Sequence, residues 1–168
     1  MNKEVEKIVE KLDMKSHPEG GFYKETYRSK GVIPKDVLAE EFSGDRSYCT
    51  GIYFLLTSDN FSAFHKIKQD EMWHYYAGSS LYVHVITPEG KYIKYTVGMN
   101  LDQGELPQLV VPANSWFASS VKDNEGYSFV GCTVSPGFDF NDFELAERNF
   151  LIKLYPDHLE TISKYTRQ

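Results

Sequence analysis

The sequence is short of several features, and each shortage argues against a class of protein. It contains only two cysteines, and no apolar run approaches the ~20 residues that a membrane span needs. Positive charge is also scarce, because 18 Lys and Arg stand against 24 Asp and Glu, for a formal net charge of -6. Such a chain lacks the basic surface that binds phosphate backbones, so we expect no nucleic-acid partner.

The two cysteines, Cys49 and Cys132, lie far apart in apolar, strand-like segments. Buried free thiols are the favoured interpretation, ahead of a disulfide or a catalytic pair. Residues 1–14 are charged and amphipathic, unlike a signal peptide. We therefore expect a cytoplasmic protein that does not bind membranes.

Aromatic residues, in contrast, are abundant: they make up 15% of the chain, with 12 Tyr and 11 Phe. Such residues favour strands. A chain of 168 residues has the length of one domain and can bury roughly 70% of the surface that it exposes when unfolded. No repeat or linker divides the sequence, so we predict one domain over residues 1–168 with a barrel core at about 20–140.

Turn-forming residues divide the middle of the chain into short segments with the alternation or apolar character of strands. The strand candidates are 22–29, 48–56, 61–68, 72–77, 80–87, 91–97, 108–111, 115–121 and 126–134. Many short strands at regular spacing are typical of a sandwich, jelly roll or barrel. The pattern therefore predicts an all-β fold.

Helical periodicity is confined to the two ends of the chain. Residues 2–13 predict an N-terminal helix, since apolar residues recur at helical spacing and Glu and Lys fill the other face. Near the C-terminus, residues 143–148 predict a short helix and residues 156–167 a longer one with Pro at its start. Residues 30–46 are predicted to form a polar loop with a short helical turn near Val37.

The densest group of chemically active residues lies at 64–78. Because alternate side chains of a strand share a face, His65 points the same way as Ile67, and Glu71 the same way as Trp73. Both faces are expected to point inward. A buried His and Glu close together would form an acid/base pair or half of a metal site. The alternative is a charged surface patch between two strands.

The other three histidines carry weaker signals. His17 precedes Pro18 in the break after the first helix, where a role in the turn is favoured over catalysis. His84 lies in the middle of an apolar strand and is more typical of a hydrogen-bonded structural residue. His158 lies in the last predicted helix and is expected to be solvated.

Two segments resemble the motifs of the cupin superfamily. In the first motif, His65, Glu71 and Gly78 fall at the first histidine, the glutamate and the closing glycine. In the second, Pro112 falls at the proline, and Asn114 takes the place of a glycine. Asn suits that position, because it tolerates the positive φ for which glycine is usually required.

Longer segments resemble one family within that superfamily, formerly called domain of unknown function 985. They are residues 17–23, 70–74, 111–113 and 134–140, with Glu25, Tyr27 and Arg28. The resemblance extends from residue 17 to about 146. It implies a double-stranded β-helix, the cupin jelly-roll barrel, with a small-molecule pocket and a homodimeric assembly, but it implies no particular activity.

The chain departs from the usual cupin metal site, which uses three histidines and a glutamate. Ile67 stands at the second histidine of the first motif and Phe117 at the histidine of the second. At most two of the four ligands remain, so no metal cofactor is expected. A divalent metal stays as an alternative only if His65, Glu71 and His74 converge.

By analogy with sugar-nucleotide epimerases of the same fold, the sequence suggests metal-independent acid/base chemistry on a sugar or a sugar-nucleotide-like substrate. His65 would be the base, oriented by Glu71 or by an acid from elsewhere in the chain, and Tyr75 or Tyr53 the acid. Arg28 would clamp a carboxylate or phosphate.

Two alternatives stay open: a small-ligand-binding cupin without turnover, and a metal-dependent cupin enzyme. In either case aromatic side chains would contact the ligand. The candidates for catalysis are His65, Glu71 and Tyr75, and those for substrate binding are Arg28, Tyr53, Trp73, His74, Trp116 and Phe117.

Overall fold

The computed structural model describes residues 3–124 and 126–167. Within these residues the chain forms thirteen strands and three α-helices. The strands are β1 (Lys15–Ser16), β2 (Phe22–Arg28), β3 (Val32–Ile33), β4 (Arg46–Ser47), β5 (Thr50–Thr57), β6 (Phe61–Lys66), β7 (Asp70–Gly78), β8 (Leu81–Ile86), β9 (Tyr92–Val97), β10 (Gln108–Val111), β11 (Trp116–Val121), β12 (Tyr127–Ser135) and β13 (Glu144–Leu145). The helices are α1 (Lys3–Lys11), α2 (Arg148–Leu154) and α3 (Leu159–Lys164). Short 3-10 turns cover Lys35–Val37, Leu101–Gln103, Phe140–Asp142 and Pro156–His158.

Two antiparallel sheets form the barrel. The first has the order β1-β2-β5-β12-β7-β10 and the second β13-β6-β11-β8-β9, so sheet neighbours are often distant in sequence. Strands β3 and β4 form a small separate hairpin. This arrangement is the double-stranded β-helix of the cupin type, and the predicted all-β jelly roll with an N-terminal helix and a C-terminal helical segment is confirmed.

The core lies between the two sheets, because alternate residues of each strand point inward. Trp73 of β7 contacts Phe54 of β5 and Phe117 of β11, with ring centroids 6.0 and 6.3 Å apart. All three rings are almost fully buried. Burial of aromatic side chains of this size contributes about 2 to 3 kcal/mol each, so this cluster stabilises the middle of the barrel.

The helices cover the outer faces of the sheets. Val5 of α1 packs against Leu55 of the first sheet. Leu151 of α2 and Ile162 of α3 pack against Trp116 of the second. The apolar stripe of each helix is therefore buried outside the barrel, which leaves the barrel interior to the strands. No helix in the described part of the chain is long and apolar enough to cross a membrane.

The predicted helix at 143–148 is wrong. Residues Glu144–Leu145 form β13, in which Leu145 pairs with His65 of β6. Helix α2 starts after Glu147, whose carboxylate accepts hydrogen bonds from the backbone N–H groups of Asn149 and Phe150. This N-cap fixes the start of the helix beyond the predicted segment, and the strand pairing that precedes it is a long-range contact.

The other end-of-chain predictions need smaller changes. The predicted helix 156–167 is a 3-10 turn at Pro156–His158 followed by α3. The predicted helix 2–13 is observed as α1, and its residue 2 lies outside the described residues. Asn114 has a φ of 62°, as predicted for the position where the motif has a glycine.

Candidate functional site

A cavity of about 370 Å³ lies between the sheets, where β7 begins and β12 ends. Its apolar wall includes Ile52, Ile67 and Val134. His65 reaches it from the second sheet and Glu71 from the first. The two groups that the alternation pattern placed inward therefore line one cavity, large enough for a small molecule.

His65 is fixed by hydrogen bonds at both ring nitrogens. Its Nδ1 lies 2.7 Å from the carbonyl oxygen of Ala63, and its Nε2 lies 2.8 Å from Oε2 of Glu19. A carbonyl oxygen only accepts, so Nδ1 carries a hydrogen. The ring also packs against Phe117, with centroids 4.0 Å apart, and the residue is only 3% exposed.

The His65–Glu19 pair is ionic. Burial has the largest single effect on the pKa of His65 and lowers it. The charge of Glu19 and its hydrogen bond, together with the charge of Glu71 and the bond to Ala63, outweigh burial, so the net pKa is raised. Burial would likewise raise the pKa of Glu19, but the charge of His65 and its hydrogen bond, with smaller contributions from His17 and Ser62, together outweigh burial, so that pKa is lowered. The imidazolium then donates from both nitrogens, and no lone pair is left to accept a proton from a substrate.

The turn between β1 and β2 brings Glu19 to the cavity. Gly20 has a φ of 118° and Gly21 a φ of 78°, a conformation that side chains rarely adopt. A Cβ at Gly20 would collide with the carbonyl oxygen of Phe61. This close approach to β6 lets the backbone N–H of Ala63 donate to the Glu19 carbonyl oxygen at 2.8 Å.

Arg167, near the end of the chain, also holds this turn. Its Nη2 donates to the carbonyl oxygens of Glu19 and Phe61, at 3.2 and 2.8 Å, and to Oδ1 of Asn60 at 2.9 Å. Its guanidinium lies 4.4 Å from the centre of the Phe61 ring. The C-terminal segment therefore secures the loop that supplies the partner of His65.

His17 has both the predicted role in the turn and a place in the cavity lining. Its carbonyl oxygen accepts from the backbone N–H of Gly20 at 3.0 Å. Its Nδ1 accepts from the backbone N–H of Glu19 at 3.3 Å. Burial lowers the pKa of His17, so its imidazole is neutral near pH 7.

Glu71 lies at the start of β7 and is 9% exposed. Burial raises its pKa to about 7, against opposition from the charge of His65 and with a smaller contribution from that of Glu19. A hydrogen bond with the Cys132 thiol lowers this pKa slightly. Near neutral pH the Glu71 carboxyl therefore exists in both protonation states, as a proton donor and as an acceptor.

Cys132 of β12 lies beside Glu71 in the lining of the cavity. Cys132 is only 3% exposed. Burial has the largest effect on the pKa of its thiol and the charge of Glu71 the next largest, and together they raise this pKa well above the usual value. A thiol in this environment stays protonated, so Cys132 is a hydrogen-bond donor and not a nucleophile. Both Cys132 and the half-buried Cys49 are free, as expected.

The polar side of the cavity mouth contains Arg28, but its guanidinium already binds protein groups. Nε and Nη2 contact the two carboxylate oxygens of Glu25 at 2.9 and 2.8 Å, and Nη2 also donates to the Phe138 carbonyl oxygen at 3.0 Å. Asp139 adds a second negative charge close enough to raise the pKa of Arg28. The fork predicted to clamp a ligand anion is therefore occupied by Glu25.

Aromatic side chains form the rest of the mouth: Tyr23 of β2 and Phe138, Phe140 and Phe143 from the segment after β12. The Phe138 and Phe140 rings meet edge to face at 4.9 Å, and Phe140 and Phe143 at 5.9 Å. These contacts give the mouth rigid apolar surfaces above the polar floor.

A protein-family model, Cupin_5, described as Cupin superfamily (DUF985), matches residues 6–146 of this chain. The chain belongs to this cupin family. It is similar to protein SO0799 from Shewanella oneidensis, whose crystal structure has a TM-score of 0.85 at 40% identity and covers 96% of each chain. A hypothetical protein from Leishmania major has a TM-score of 0.89 at 37% identity, covering 97% of this chain and 98% of that one.

A yeast protein is also similar to this chain. The uncharacterized protein YML079W of Saccharomyces cerevisiae is 31% identical over 147 residues, which cover 82% of this chain and 73% of the yeast protein. The comparisons thus give the cupin family and fold, and a fold alone does not determine an activity.

Several residues that the sequence suggested for this cupin's site lie elsewhere. Trp73 and Phe117 fill the core below the cavity. Tyr75 packs at the far side of that core, where its hydroxyl donates to the carbonyl oxygen of Gly78. Since Trp73 separates Tyr75 from Glu71 along the inner face of β7, the structure does not bring this tyrosine to the cavity.

The remaining suggested residues lie on outer faces of the sheets. Tyr53 packs against Phe129 outside the first sheet, with ring centroids 5.4 Å apart. Trp116 lies outside the second sheet, under the C-terminal helices. His74 bonds Oγ1 of Thr133 at 2.9 Å, also outside the first sheet. These three were suggested for ligand contact, but they point away from the barrel interior.

The structure does not bring together His65, Glu71 and His74, the three residues of the metal alternative. His74 is out of phase with Glu71 along β7, so the two side chains leave opposite faces of the sheet. Cupin folds can bind metals, but no group of three or more His, Cys, Asp or Glu within residues 3–124 and 126–167 is arranged to hold one. Ile67 and Phe117 stand where the usual ligands would be.

The sequence reasoning missed Glu19, Tyr23, Cys132 and the aromatic mouth. For Glu19, Tyr23 and most of the mouth a signal was available, because the segments 17–23 and 134–140 are among those that carry the family resemblance. Both contain polar or aromatic residues around glycines and prolines, which is typical of loops that close a site.

Proposed function

We propose that this cupin is a metal-independent enzyme that moves a proton between carbon atoms of a small molecule, with Glu71 taking and returning the proton. The observation that carries the proposal is the nine-tenths buried Glu71 carboxyl, which faces the cavity and has a pKa raised to about 7. A group with such a pKa is suited to general acid/base catalysis at neutral pH.

The reaction class is an isomerisation or epimerisation through an enolate. The Glu71 carboxylate takes a proton from a carbon beside a carbonyl group, and the electron pair of the broken C–H bond forms a C=C bond. The carbonyl oxygen takes up the negative charge. The Glu71 carboxyl then returns the proton to the enolate. It goes back to the same carbon or, in a 2-hydroxy carbonyl compound, to the former carbonyl carbon while the hydroxyl proton moves to the former carbonyl oxygen, so no atoms or electrons are gained or lost overall.

His65 supports this chemistry through its charge. Both ring N–H groups are bound by Ala63 and Glu19, so His65 does not act as the base suggested by the fold analogy. Its positive charge opposes the effect of burial on the Glu71 pKa and stabilises an enolate oxygen formed nearby. Glu19 is the acid from elsewhere in the chain that keeps the imidazole charged.

A sugar-like carbonyl compound suits this proposal better than a sugar nucleotide. The cavity offers polar groups at its floor and aromatic surfaces at its mouth, a combination that favours small polar rings or chains. A nucleotide diphosphate would need unpaired cations, and Arg28 is bound by Glu25.

Two measurements test the proposal on the wild-type protein and on Glu71→Gln. Carbon-13 NMR of labelled glutamate should show one carboxyl that titrates near pH 7 and disappears in the variant. Incubation in D2O with a panel of small aldoses, ketoses and keto acids should show deuterium incorporation beside a carbonyl group, lost by at least a hundredfold in Glu71→Gln.

Glu144→Gln is the matched control, because Glu144 is half exposed and lies outside the cavity. It should keep both signals. A Glu71 carboxyl that titrates near 4.5, or exchange that survives in Glu71→Gln, would refute the role proposed for Glu71.

A binding protein without turnover is the second candidate. The buried His65, with both nitrogens bonded within the protein, favours it. It predicts that the wild type binds ligands in the cavity but exchanges no carbon-bound hydrogen.

A further inference from the structure

The charges that line the cavity do not balance, and this determines what kind of molecule it can hold. His65 neutralises Glu19, with the charged atoms 2.8 Å apart. Arg28 neutralises Glu25 in the same way at 2.8 Å. Asp139 is close enough to Arg28 and to Arg46 to raise the pKa of each, but Arg28 is bound by Glu25 and Arg46 by Asp142. Neither guanidinium is left to pair with Asp139, whose Oδ1 accepts from the backbone N–H of Asn141 at 2.8 Å.

Glu71 adds to this excess of negative charge whenever it is ionised. Within the described residues its carboxyl forms a hydrogen bond only with the thiol of Cys132, which is a weak donor. His17 contributes no positive charge, because burial lowers its pKa. Among the described residues that line the cavity, no cation is left to pair with an anionic ligand.

An anion placed here would lose its hydration and face carboxylates, which is unfavourable on both counts. A cation would gain from the same carboxylates. It would also gain from the rings of Tyr23, Phe138, Phe140 and Phe143, because an ammonium group is attracted to the face of an aromatic ring.

We infer that the molecule bound in this cavity is a small organic cation, an amine or quaternary ammonium compound, whose positive group lies between Glu71 and Asp139 and whose apolar part meets the aromatic mouth. The inference rests on the proposed function in one respect only, which is the carbonyl group that such a substrate would also carry. The acidic, aromatic lining supports the charge of the ligand independently of any turnover.

Three probes of nearly equal shape test the inference: choline, the uncharged 3,3-dimethylbutan-1-ol and the anionic 3,3-dimethylbutanoate. Dissociation constants come from ligand-observed NMR with the wild-type protein. Choline should bind at least about tenfold more tightly than the alcohol, and the anion more weakly than either. Absence of choline binding, or affinity for the alcohol or the anion equal to that for choline, would overturn the inference.

Two charge-removing variants, Glu71→Gln and Asp139→Asn, locate the binding. Each should weaken choline several-fold and leave the affinity for the alcohol unchanged, because only the cation uses the carboxylates. Glu144→Gln, on the exterior, should change neither. An unchanged affinity for choline in both cavity variants would place the probe elsewhere and count against the inference.

The pH dependence separates this inference from the proposed function. Choline favours the ionised form of Glu71, so its affinity should rise as the pH rises through about 7. The other titratable groups facing Glu71 are His65, Glu19 and Cys132; the first two stay paired and the thiol stays protonated. The rise should be absent in Glu71→Gln.

The two proposals can therefore fail separately. Preference for choline without the pH dependence, together with a Glu71 carboxyl that titrates near 4.5, would refute the proton-transfer role alone. A Glu71 carboxyl that titrates near 7, together with no preference for choline, would refute the cationic ligand alone.

Discussion

At the scale of single residues, the partner of His65 decides its chemistry. A histidine whose second nitrogen faced the cavity would be a general base. Here that nitrogen donates to Glu19, and the ring is held charged between an acceptor from its own strand and one from the β1–β2 turn. The charge of His65 also limits how far burial raises the pKa of Glu71, so Glu71 is partly ionised near pH 7. The proton that can pass to a ligand is therefore the one on Glu71.

Replacing Glu19 by Gln should release this charge. Without the carboxylate, burial dominates, and the pKa of His65 should fall from its raised value to below 6.5. The pKa of Glu71 should rise at the same time, since His65 no longer opposes burial. NMR titration of the His65 ring measures the first change, with Glu144→Gln as the control. An unchanged His65 pKa would mean that Glu19 is not its main partner.

At the scale of structural elements, the cavity mouth depends on a buried ion pair. Asp142 ends the 3-10 turn Phe140–Asp142 and accepts two hydrogen bonds from Arg46 of β4, both 2.7 Å long. Its Oδ2 also accepts from Gln69 at 2.7 Å. The side chains of Arg46 and Asp142 are 3% and 0% exposed, so this network fixes the aromatic segment to the body of the barrel.

Asp142→Asn should therefore destabilise the protein strongly, because it leaves the Arg46 guanidinium buried without its counter-charge. We expect a loss of about 3 to 5 kcal/mol in the free energy of unfolding, measured by urea denaturation. Asp13→Asn removes the exposed pair with Lys24 and should cause no measurable loss. Equal effects of the two variants would contradict the structural role given to Asp142.

At the scale of the whole molecule, burial of Glu71 in the proposed site lowers the free energy of unfolding at neutral pH. The pKa of Glu71 is higher in the folded state, about 7, than the ordinary 4.5 expected after unfolding. Between these values the folded protein holds a proton that the unfolded chain has lost, so stability falls as the pH rises from about 4.5 to about 7 and then levels off.

Glu71→Gln should remove this loss. We expect the variant to gain up to about 3 kcal/mol over the wild type near pH 8 and to match it near pH 5, as measured by urea unfolding at both pH values. The exposed Glu10→Gln should show no such difference between the two pH values. A difference between wild type and Glu71→Gln that does not depend on pH would mean that the carboxyl is not held neutral by folding.

Assembly is a further property of the whole molecule. The homodimer implied by the family resemblance stays a prediction.

The local pattern of the sequence determined which faces of the strands point inward. The period of two places His65 and Glu71 inside, and the same rule places Tyr75 on the inner side of β7, all by residue geometry alone. The family segments predicted the jelly roll, because they span most of the chain. Strand alternation does not show how far along the barrel an inward side chain lies, however. It therefore did not distinguish residues that line the cavity from residues such as Trp73 that fill the core.

Only the tertiary structure decided the partners and the charges. Glu19 meets His65 because a glycine turn and Arg167 hold the loop against β6, and Arg28 is bound by Glu25 across a bulge in β2. The pKa of a carboxyl depends on its burial and on the charges around it, which the packed barrel creates and the unfolded sequence does not. The same residue type at position 71 is therefore an ordinary acid in the chain and a group titrating near 7 in the fold.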